Sequence, residues 1–195
     1  MEADARTARG GRVSGVLGID LSTNAVDLVR LDGETDNARW MRLDLKGGEK
    51  LTALERLRRV AGLMPSASFY DDVYLVAVEA PYGTGQAGTL AKLSRVFGAV
   101  VACIPQRLEV WEVMPGDWRK ELGLGGNASK EECALRVCSL RHQALVRWNV
   151  EHWPHAMWEV WPQDALDAWA VAYYARQVNQ REVEKTLAAA ALTLL

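Results

Sequence analysis

The first 45 residues alternate between apolar runs and polar breaks in a way that predicts three strands. Val13 to Leu21 is rich in Val, Ile and Leu, which is typical of a strand buried on both faces. Ala25 to Leu31 and Arg39 to Leu45 alternate apolar and polar side chains, with Asp32-Gly-Glu-Thr-Asp-Asn37 between them. An Asp-Gly pair between two such runs is typical of a β-hairpin. The pattern therefore predicts an antiparallel meander.

Helical periodicity begins after the meander, where apolar residues recur at helical spacing from Glu49 to Leu63. The later elements are bounded by glycine, proline or capping residues. Two further strands are predicted, over Val73–Glu79 and over Leu108–Met114. The predicted helices run from about Gln86 to Cys103, from Pro115 over a short segment, from the N-cap Ser129, from Pro162 to about Asn179, and over Arg181–Leu194. This order predicts an α/β fold with a mixed five-stranded sheet, in which parallel strands extend the meander and helices flank it.

Length and composition fit one main domain. The chain has 195 residues, of which 49% are hydrophobic, enough for a sizeable core. We expect this domain at residues 13–179, after a flexible N-terminus at 1–12 and before a C-terminal helix at 180–195. The formal net charge of -2 shows no overall basic excess of the kind that nucleic-acid-binding proteins carry, although 23 Lys and Arg residues leave room for a local basic face.

The cysteines and the apolar tracts indicate the cellular compartment in which the protein is expected. The three cysteines form no CxxC pair, which favours reduced thiols over a disulfide framework or a zinc site. The N-terminus lacks the apolar core of a signal peptide, and no apolar tract is long enough to span a bilayer. We therefore expect a cytoplasmic protein with no membrane partner.

Four carboxylates stand where apolar segments end or a helix begins. Asp20 closes the first apolar run, Glu79 closes the fourth strand, and Asp164 and Asp167 open the helix after Pro162. An unpaired charge is costly at a buried strand end. Carboxylates that converge from separate elements most simply share divalent cations, which take oxygen ligands. The sequence thus predicts a metal-dependent enzyme, with phosphate chemistry as the first hypothesis.

These motifs resemble the RuvC-type Holliday junction resolvases of the ribonuclease H-like superfamily. The resemblance covers residues 13–178 and rests on four segments: Gly18-Ile-Asp20, Val78-Glu79, Leu122-Gly-Leu-Gly-Gly-Asn-Ala-Ser-Lys130-Glu, and Asp164-Ala-Leu-Asp-Ala168. Each motif alone is weak, but four in the family's order on matching elements are fairly specific. The resemblance implies a ribonuclease H-like fold and a structure-selective DNA endonuclease that resolves four-way junctions by paired phosphodiester hydrolysis.

The resemblance also implies roles for individual residues. The four family carboxylates, which are catalytic and bind two Mg²⁺ or Mn²⁺ ions per active site, match Asp20, Glu79, Asp164 and Asp167. Lys130 matches a catalytic lysine that approaches the scissile phosphate, and Arg119 or Lys120 matches a second DNA-binding position upstream. Tyr82 matches an aromatic residue that stacks on bases exposed near the branch point, an interaction that tolerates any base.

The family further implies branched DNA as the partner and a homodimer as the active form, since two symmetric strands need two active sites. The helix from Gln86 to Cys103 carries small residues that suit close packing at such an interface. The segment between Arg141 and Pro162 looks longer than in typical cellular members, which fits a divergent member of the family, for instance a viral one.

Alternatives to these interpretations stay open. Each acid taken singly could be a turn or helix-start residue, and the tryptophan-rich stretch 143–162 more often packs in a core or a dimer than on bases. A broader debranching nuclease that cuts flaps and forks would use the same acids. Gly18 to Asn24 also resembles the phosphate-binding turn of sugar kinases and actin-like ATPases, although those need two such domains. The last alternative is a non-catalytic protein of this fold.

Overall fold

The structure is a computed structural model that describes residues 15–33, 37–46, 51–82, 87–152 and 161–193. Its strands are β1 (Gly15–Leu21), β2 (Ala25–Asp32), β3 (Asn37–Asp44), β4 (Val73–Glu79) and β5 (Glu109–Val113). Its α-helices are α1 (Ala53–Leu63), α2 (Ala87–Cys103), α3 (Pro115–Glu121), α4 (Lys130–His152) and α5 (Gln163–Thr193), and a 3₁₀ turn spans Ala67–Tyr70. The N-terminus at 1–12, predicted to be flexible, lies outside the described residues.

The strands form one mixed sheet in the order β3-β2-β1-β4-β5. Pairing is antiparallel between β1 and β2 and between β2 and β3, and it is parallel between β1 and β4 and between β4 and β5. The predicted meander with parallel additions is therefore confirmed. The parallel arrangement brings the carboxyl ends of β1 and β4 to the same edge of the sheet.

The alternation of side chains along the strands divides the core into two layers. On one face, residues such as Val16, Val29 and Ala77 pack against α5 together with parts of α3 and α4. On the other face, Leu17 and Val76 belong to a cluster that also contains residues of α1 and α2. We call these the α5 face and the α1–α2 face. Because β1 and β4 are covered on both faces, their sequences are almost continuously apolar.

Helix α5 lies in backbone contact with the centre of β1. A Cβ atom built on Gly18 would stand 2.1 Å from the carbonyl oxygen of Ala168 and 2.6 Å from the amide nitrogen of Ala172. Ala165, Ala168 and Ala172 are all fully buried along this contact. These small side chains let the helix lie close to the sheet, and the first turn of α5 is thereby fixed near the end of β1.

Two predicted helix boundaries are wrong. The last helix, expected to start anew at Arg181, is instead the second half of the continuous helix α5. No glycine or proline interrupts the chain there, and a bidentate ion pair at 2.7 and 2.8 Å ties Arg181 to Glu121 of α3. Helix α1 begins at Ala53 rather than near Glu49, because Thr52 and Glu55 form a capping box that starts it.

None of the helices in the described ranges combines the length and the apolar character that crossing a bilayer requires.

Substitution of Gly18 by alanine should destabilise the protein by about 2–3 kcal/mol, because the added methyl group meets rigid backbone rather than a movable side chain. Gly62 of α1 is the matched control, since an added Cβ there meets nothing within 4 Å. Gly62→Ala should leave stability unchanged or raise it by up to about 1 kcal/mol. Urea unfolding of both variants measures the difference, and a Gly18→Ala protein as stable as the wild type would contradict the contact.

Candidate active site

Strand register sets a row of polar residues across the α5 face of the sheet. Asp20 of β1 lies opposite Asp27 of β2, and Asp27 lies opposite Arg42 of β3. On the other side of β1, the pairing of Ile19 with Val78 makes Glu79 the next neighbour of Asp20. Residues that stand opposite one another in adjacent strands project to the same face. The row therefore runs from a guanidinium through three carboxylates, at the edge where β1 and β4 end.

The first turn of α5 adds two further carboxylates to this row. Burial raises the pKa of Asp20 well above its ordinary value of 3.8, and the hydrogen bond and charge of Glu79 raise it further. The charges of Asp167 and Asp164 act on Asp20 in the same direction. The side chain that closes β1 is thus surrounded by the other three acids, and Asp20 itself is only 6% exposed. The structure brings together all four carboxylates that the sequence singles out.

Neighbouring side chains hold two of these acids in place. Trp118 of α3 donates from Nε1 to Oε1 of Glu79 at 3.0 Å. Gln163, the first residue of α5, donates from Nε2 to Oδ1 of Asp167 at 2.8 Å. The Trp118 contact does not follow from the sequence motifs, because Trp118 and Glu79 are 39 residues apart, whereas Gln163 and Asp167 lie four residues apart on one helix. Each of these contacts engages one carboxylate oxygen, and Glu79 is also hydrogen-bonded to Asp20.

Asp27 and Arg42 form a second charged group beside the four acids. Asp27 is 1% exposed, and its Oδ1 accepts a hydrogen bond of 2.9 Å from Nε1 of Trp40. Arg42 lies between two carboxylates, with Nη1 3.4 Å from Oδ2 of Asp27 and Nη2 3.4 Å from Oδ2 of Asp164. Burial raises the pKa of Asp27, whereas the Trp40 hydrogen bond and the charge of Arg42 lower it. The sequence motifs do not predict this pair, although Asp27 interrupts an apolar strand just as Asp20 does.

Lys130 lies close enough to the acids to affect their ionisation. Burial raises the pKa of Asp167 to about 6, and the charges of Glu79 and Asp164 contribute to the rise. The hydrogen bond from Gln163 and the charge of Lys130 act in the opposite direction. Lys130 is exposed at the first residue of α4, so its ammonium group can stand at the rim of the acidic cavity.

The turn before α4 is fixed by the predicted cap. Ser129 Oγ accepts from the amide of Glu132 at 3.2 Å, and the Glu132 carboxylate accepts from the amide of Ser129 at 2.7 Å. This reciprocal arrangement is a capping box, which satisfies two amides at the start of the helix. The capping box thereby fixes the backbone position of Lys130 at the start of α4.

The remaining predicted DNA-binding residues differ in accessibility. Tyr82 is 60% exposed after the end of β4, and Lys120 is exposed on α3. The Arg119 guanidinium instead packs 5.1 Å from the ring centre of Trp118 and donates to the carbonyl of Gly126 at 3.2 Å. Arg119 therefore braces the glycine-rich turn, and Lys120 is the more accessible of the two alternatives at that position.

Of the tryptophan-rich stretch 143–162, residues 143–152 belong to helix α4, and residues 153–160 lie outside the described residues. Trp161 is 7% exposed, and its ring centre lies 6.1 Å from that of Trp40. The Arg141 guanidinium stacks 3.7 Å from the centre of the same ring. Trp161 thus packs in the core, close to the strand that carries Arg42.

The donor set fits hard divalent cations. The four converging groups are carboxylates, whose oxygens are the ligands that Mg²⁺ and Mn²⁺ take, and burial together with the charges of the neighbouring acids raises the pKa values of Asp20 and Asp167. Within the described residues, however, no three His, Cys, Asp or Glu side chains form a ready cage for one ion. In this structure Trp118, Gln163 and Arg42 each donate to one oxygen of Glu79, Asp167 and Asp164, respectively.

Solved structures provide the comparison with known proteins. Neither a protein-family model nor a curated protein sequence matches the chain. Thermus thermophilus RuvC matches with a TM-score of 0.61 and 23% identity, over 84% of this chain and 96% of that one. The chain has a RuvC-like, ribonuclease H-like fold. T. thermophilus RuvC in complex with Holliday junction substrate matches over the same shares at a TM-score of 0.58 and 23% identity. The yeast mitochondrial Holliday junction resolvase Ydc2 matches at 0.53 and 13% identity, over 92% of this chain and 87% of that one.

These likenesses confirm the predicted fold class and, at the level of the fold, the resemblance to RuvC-type resolvases. At 13% and 23% identity they establish the architecture of the chain, but they do not establish its chemistry.

The acidic site should make the metal-free protein less stable as pH rises. Asp167 has a pKa of about 6 in the folded protein and an ordinary value of 3.8, so its contribution to stability is full below pH 3.8 and is lost as pH rises through about 6. Each pKa unit corresponds to about 1.4 kcal/mol. Asp167→Asn should therefore stabilise the protein in EDTA by about 2 kcal/mol more at pH 7.5 than at pH 4.5, as measured by urea unfolding.

Glu112, an exposed acid on β5, provides the control for this pH dependence. Glu112→Gln should change stability by less than about 0.5 kcal/mol at both pH values. An Asp167→Asn effect that is equal at the two pH values would show that burial and the neighbouring acids do not act on this carboxylate.

Proposed function

We propose that this protein is a metal-dependent endonuclease that resolves four-way DNA junctions. The observation that carries the proposal is the convergence of four carboxylates from β1, β4 and α5 on one edge of a RuvC-like fold. One of the matching structures is RuvC in complex with Holliday junction substrate, so the fold is known to receive this DNA. The acids alone indicate phosphate chemistry. The RuvC-like fold favours the phosphodiesters of branched DNA as the substrate.

Asp20, Glu79, Asp164 and Asp167 would hold two Mg²⁺ or Mn²⁺ ions. Such a pair supplies charge stabilisation to both the attacking and the leaving oxygen in phosphodiester hydrolysis. The protein's own part is to position the oxygen ligands. Asp20 comes from a strand that is buried on both faces, and Trp118 and Gln163 each fix one oxygen of a neighbouring acid. These hydrogen bonds limit the orientations that Glu79 and Asp167 can take beside the ions.

Lys130 and Tyr82 suit contacts with the DNA around this centre. The Lys130 ammonium acts on Asp167, so it lies close to the place where a scissile phosphate would sit. A cation there would offset phosphate charge beside a cavity lined by acids. Tyr82 is 60% exposed three residues beyond Glu79, where its ring is free to stack on an unpaired base. Lys120, exposed on α3, would contribute to the DNA backbone contacts.

A homodimer completes the proposal, because a four-way junction presents two equivalent strands. Helix α2 suits the interface. Only Val96 and Val100 of α2 are buried within the protomer. Leu90 is 37% exposed, and the small residues Ala91 and Gly98 are exposed as well. An apolar helix with small exposed residues can pack closely against its copy in a two-fold dimer.

Asp20→Asn should lower the rate of junction cleavage at least about 100-fold while the protein stays folded, because the substitution keeps the shape of the side chain and removes a central oxygen ligand. Glu112→Gln is the control and should cleave at the wild-type rate. Labelled four-way, flap, fork and linear DNAs with Mg²⁺ and with Mn²⁺ provide the measurement. Wild-type rates for Asp20→Asn would contradict the metal-site assignment.

Cleavage should fall at symmetric positions in two strands of like polarity, because two equivalent sites face a junction with matching symmetry. The nicked products should then be sealed by ligase, and Tyr82→Ala should weaken junction cleavage more than nicking of linear DNA. Mapping both strands at nucleotide resolution measures this. Scattered cuts on flaps and forks as well as junctions would replace the resolvase assignment with a general debranching nuclease.

A further inference from the structure

Arg42 is the one member of the polar row that carries positive charge, and its surroundings differ from those of an ordinary surface arginine. Its guanidinium lies 3.4 Å from a carboxylate oxygen of Asp27 and 3.4 Å from one of Asp164. The Arg42 side chain is 36% exposed, whereas that of Asp27 is 2% exposed. The buried carboxylate of Asp27 thus holds the guanidinium of Arg42 on its inner side, and the guanidinium remains accessible to solvent on its outer side.

Asp27 serves as an anchor for Arg42 rather than as a fifth ligand for a cation. One of its oxygens accepts from Trp40 at 2.9 Å, and the other lies against the guanidinium. An apolar residue at this buried position would avoid the cost of taking a carboxylate out of water. The acid at this position therefore indicates that the arginine above it must be held in one place.

The contact of Arg42 with Asp164 is the exchangeable one. Arg42 lies 3.4 Å from an oxygen of each carboxylate, but the side chain of Asp164 is 29% exposed on the first turn of α5, whereas that of Asp27 is 2% exposed and is also held by Trp40. If Asp164 turns toward the other three acids, the Nη2 group of Arg42 loses its partner while Asp27 keeps hold of Nη1. The guanidinium then presents N–H donors to solvent at the rim of the site. A planar donor group of this kind suits two oxygens of a phosphate.

We propose that Arg42, anchored by Asp27, binds a phosphate of the DNA strand next to the phosphate that is cleaved. Strand β3 lies two strands away from β1, about 10 Å at the backbone, so the guanidinium reaches the rim of the site rather than its centre. This inference rests on the proposed nuclease function and adds a specific backbone contact to it. Arg42 is accordingly a substrate-positioning residue whose role is to set where the strand lies.

The competing explanation is that Arg42 only neutralises Asp27. Arg42→Gln alone cannot separate the two, because it leaves a buried carboxylate without its counter-charge. The double variant Arg42→Gln with Asp27→Asn removes both charges and keeps an oxygen that can accept from Trp40. A purely neutralising arginine predicts that the double variant behaves as the wild type. A phosphate-binding arginine predicts that its defect toward DNA persists.

Single-turnover cleavage of a labelled four-way junction, with protein in excess and at several salt concentrations, measures the contact. Arg42→Gln should raise the half-saturating protein concentration about tenfold, with the maximal rate changed less than about threefold. The slope of log affinity against log salt should become shallower by about 0.9, the value for one lost phosphate contact. The double variant should show the same shift in affinity and slope while its resistance to urea returns toward that of the wild type.

Arg39 provides the matched control on the same strand. Its side chain lies on the other face of β3, is 66% exposed, and pairs with Asp32 at 2.7 Å. Arg39→Gln should leave affinity and salt slope unchanged. If the double variant binds as the wild type, or if Arg42→Gln leaves the slope unchanged, the phosphate contact is refuted while the nuclease function stands. If the wild-type protein cleaves no branched DNA, the proposed function fails and this inference falls with it.

Discussion

The contact between the backbone of α5 and the backbone of β1 at Gly18 is the constraint on which the rest of the site depends. A side chain at this position would collide with the carbonyl of Ala168. With glycine there, the helix lies directly on the strand, and its first turn is held beside Asp20, two residues further along β1. The placement of Asp164 and Asp167 is therefore set by the packing of small residues along a helix and not by any attraction between the acids, which repel one another.

That repulsion explains the character of the neighbouring side chains. Burial and the charges of the neighbouring acids raise the pKa of Asp20 and bring that of Asp167 to about 6, so the assembled site opposes folding near neutral pH. Donors from Trp118 and Gln163 offset part of the repulsion without filling the space between the acids. The arrangement is one in which a bound cation contributes stability that the isolated protein lacks.

The sequence predicted those features that depend on local signals. Apolar runs gave the strands, an acid at the end of each buried run gave Asp20 and Glu79, and spacing of one helical turn gave Asp164 and Asp167. The pair of Asp27 and Arg42 was not predicted, because it depends on the register between two strands, which periodicity does not determine. The contact of Trp118 with Glu79 was not predicted, because it joins elements far apart in the chain. The continuity of α5 was missed although no glycine or proline interrupts the chain near Arg181, and the ion pair of Arg181 with Glu121 that accompanies it is a tertiary contact.

A net charge of -2 and an acidic centre together require that any affinity for DNA be local. Within the part of the chain that the structure describes, Lys130 and Arg42 act directly on the acids and meet this requirement. Lys130 approaches Asp167 from the start of α4, and Arg42 approaches Asp164 from β3. A strand of DNA that crosses between them would place one phosphate over the carboxylates and its neighbour over the guanidinium. The buried Asp27 then has a functional explanation, since an arginine left unanchored could fold onto the acids and occupy the place of the cation they are arranged to receive.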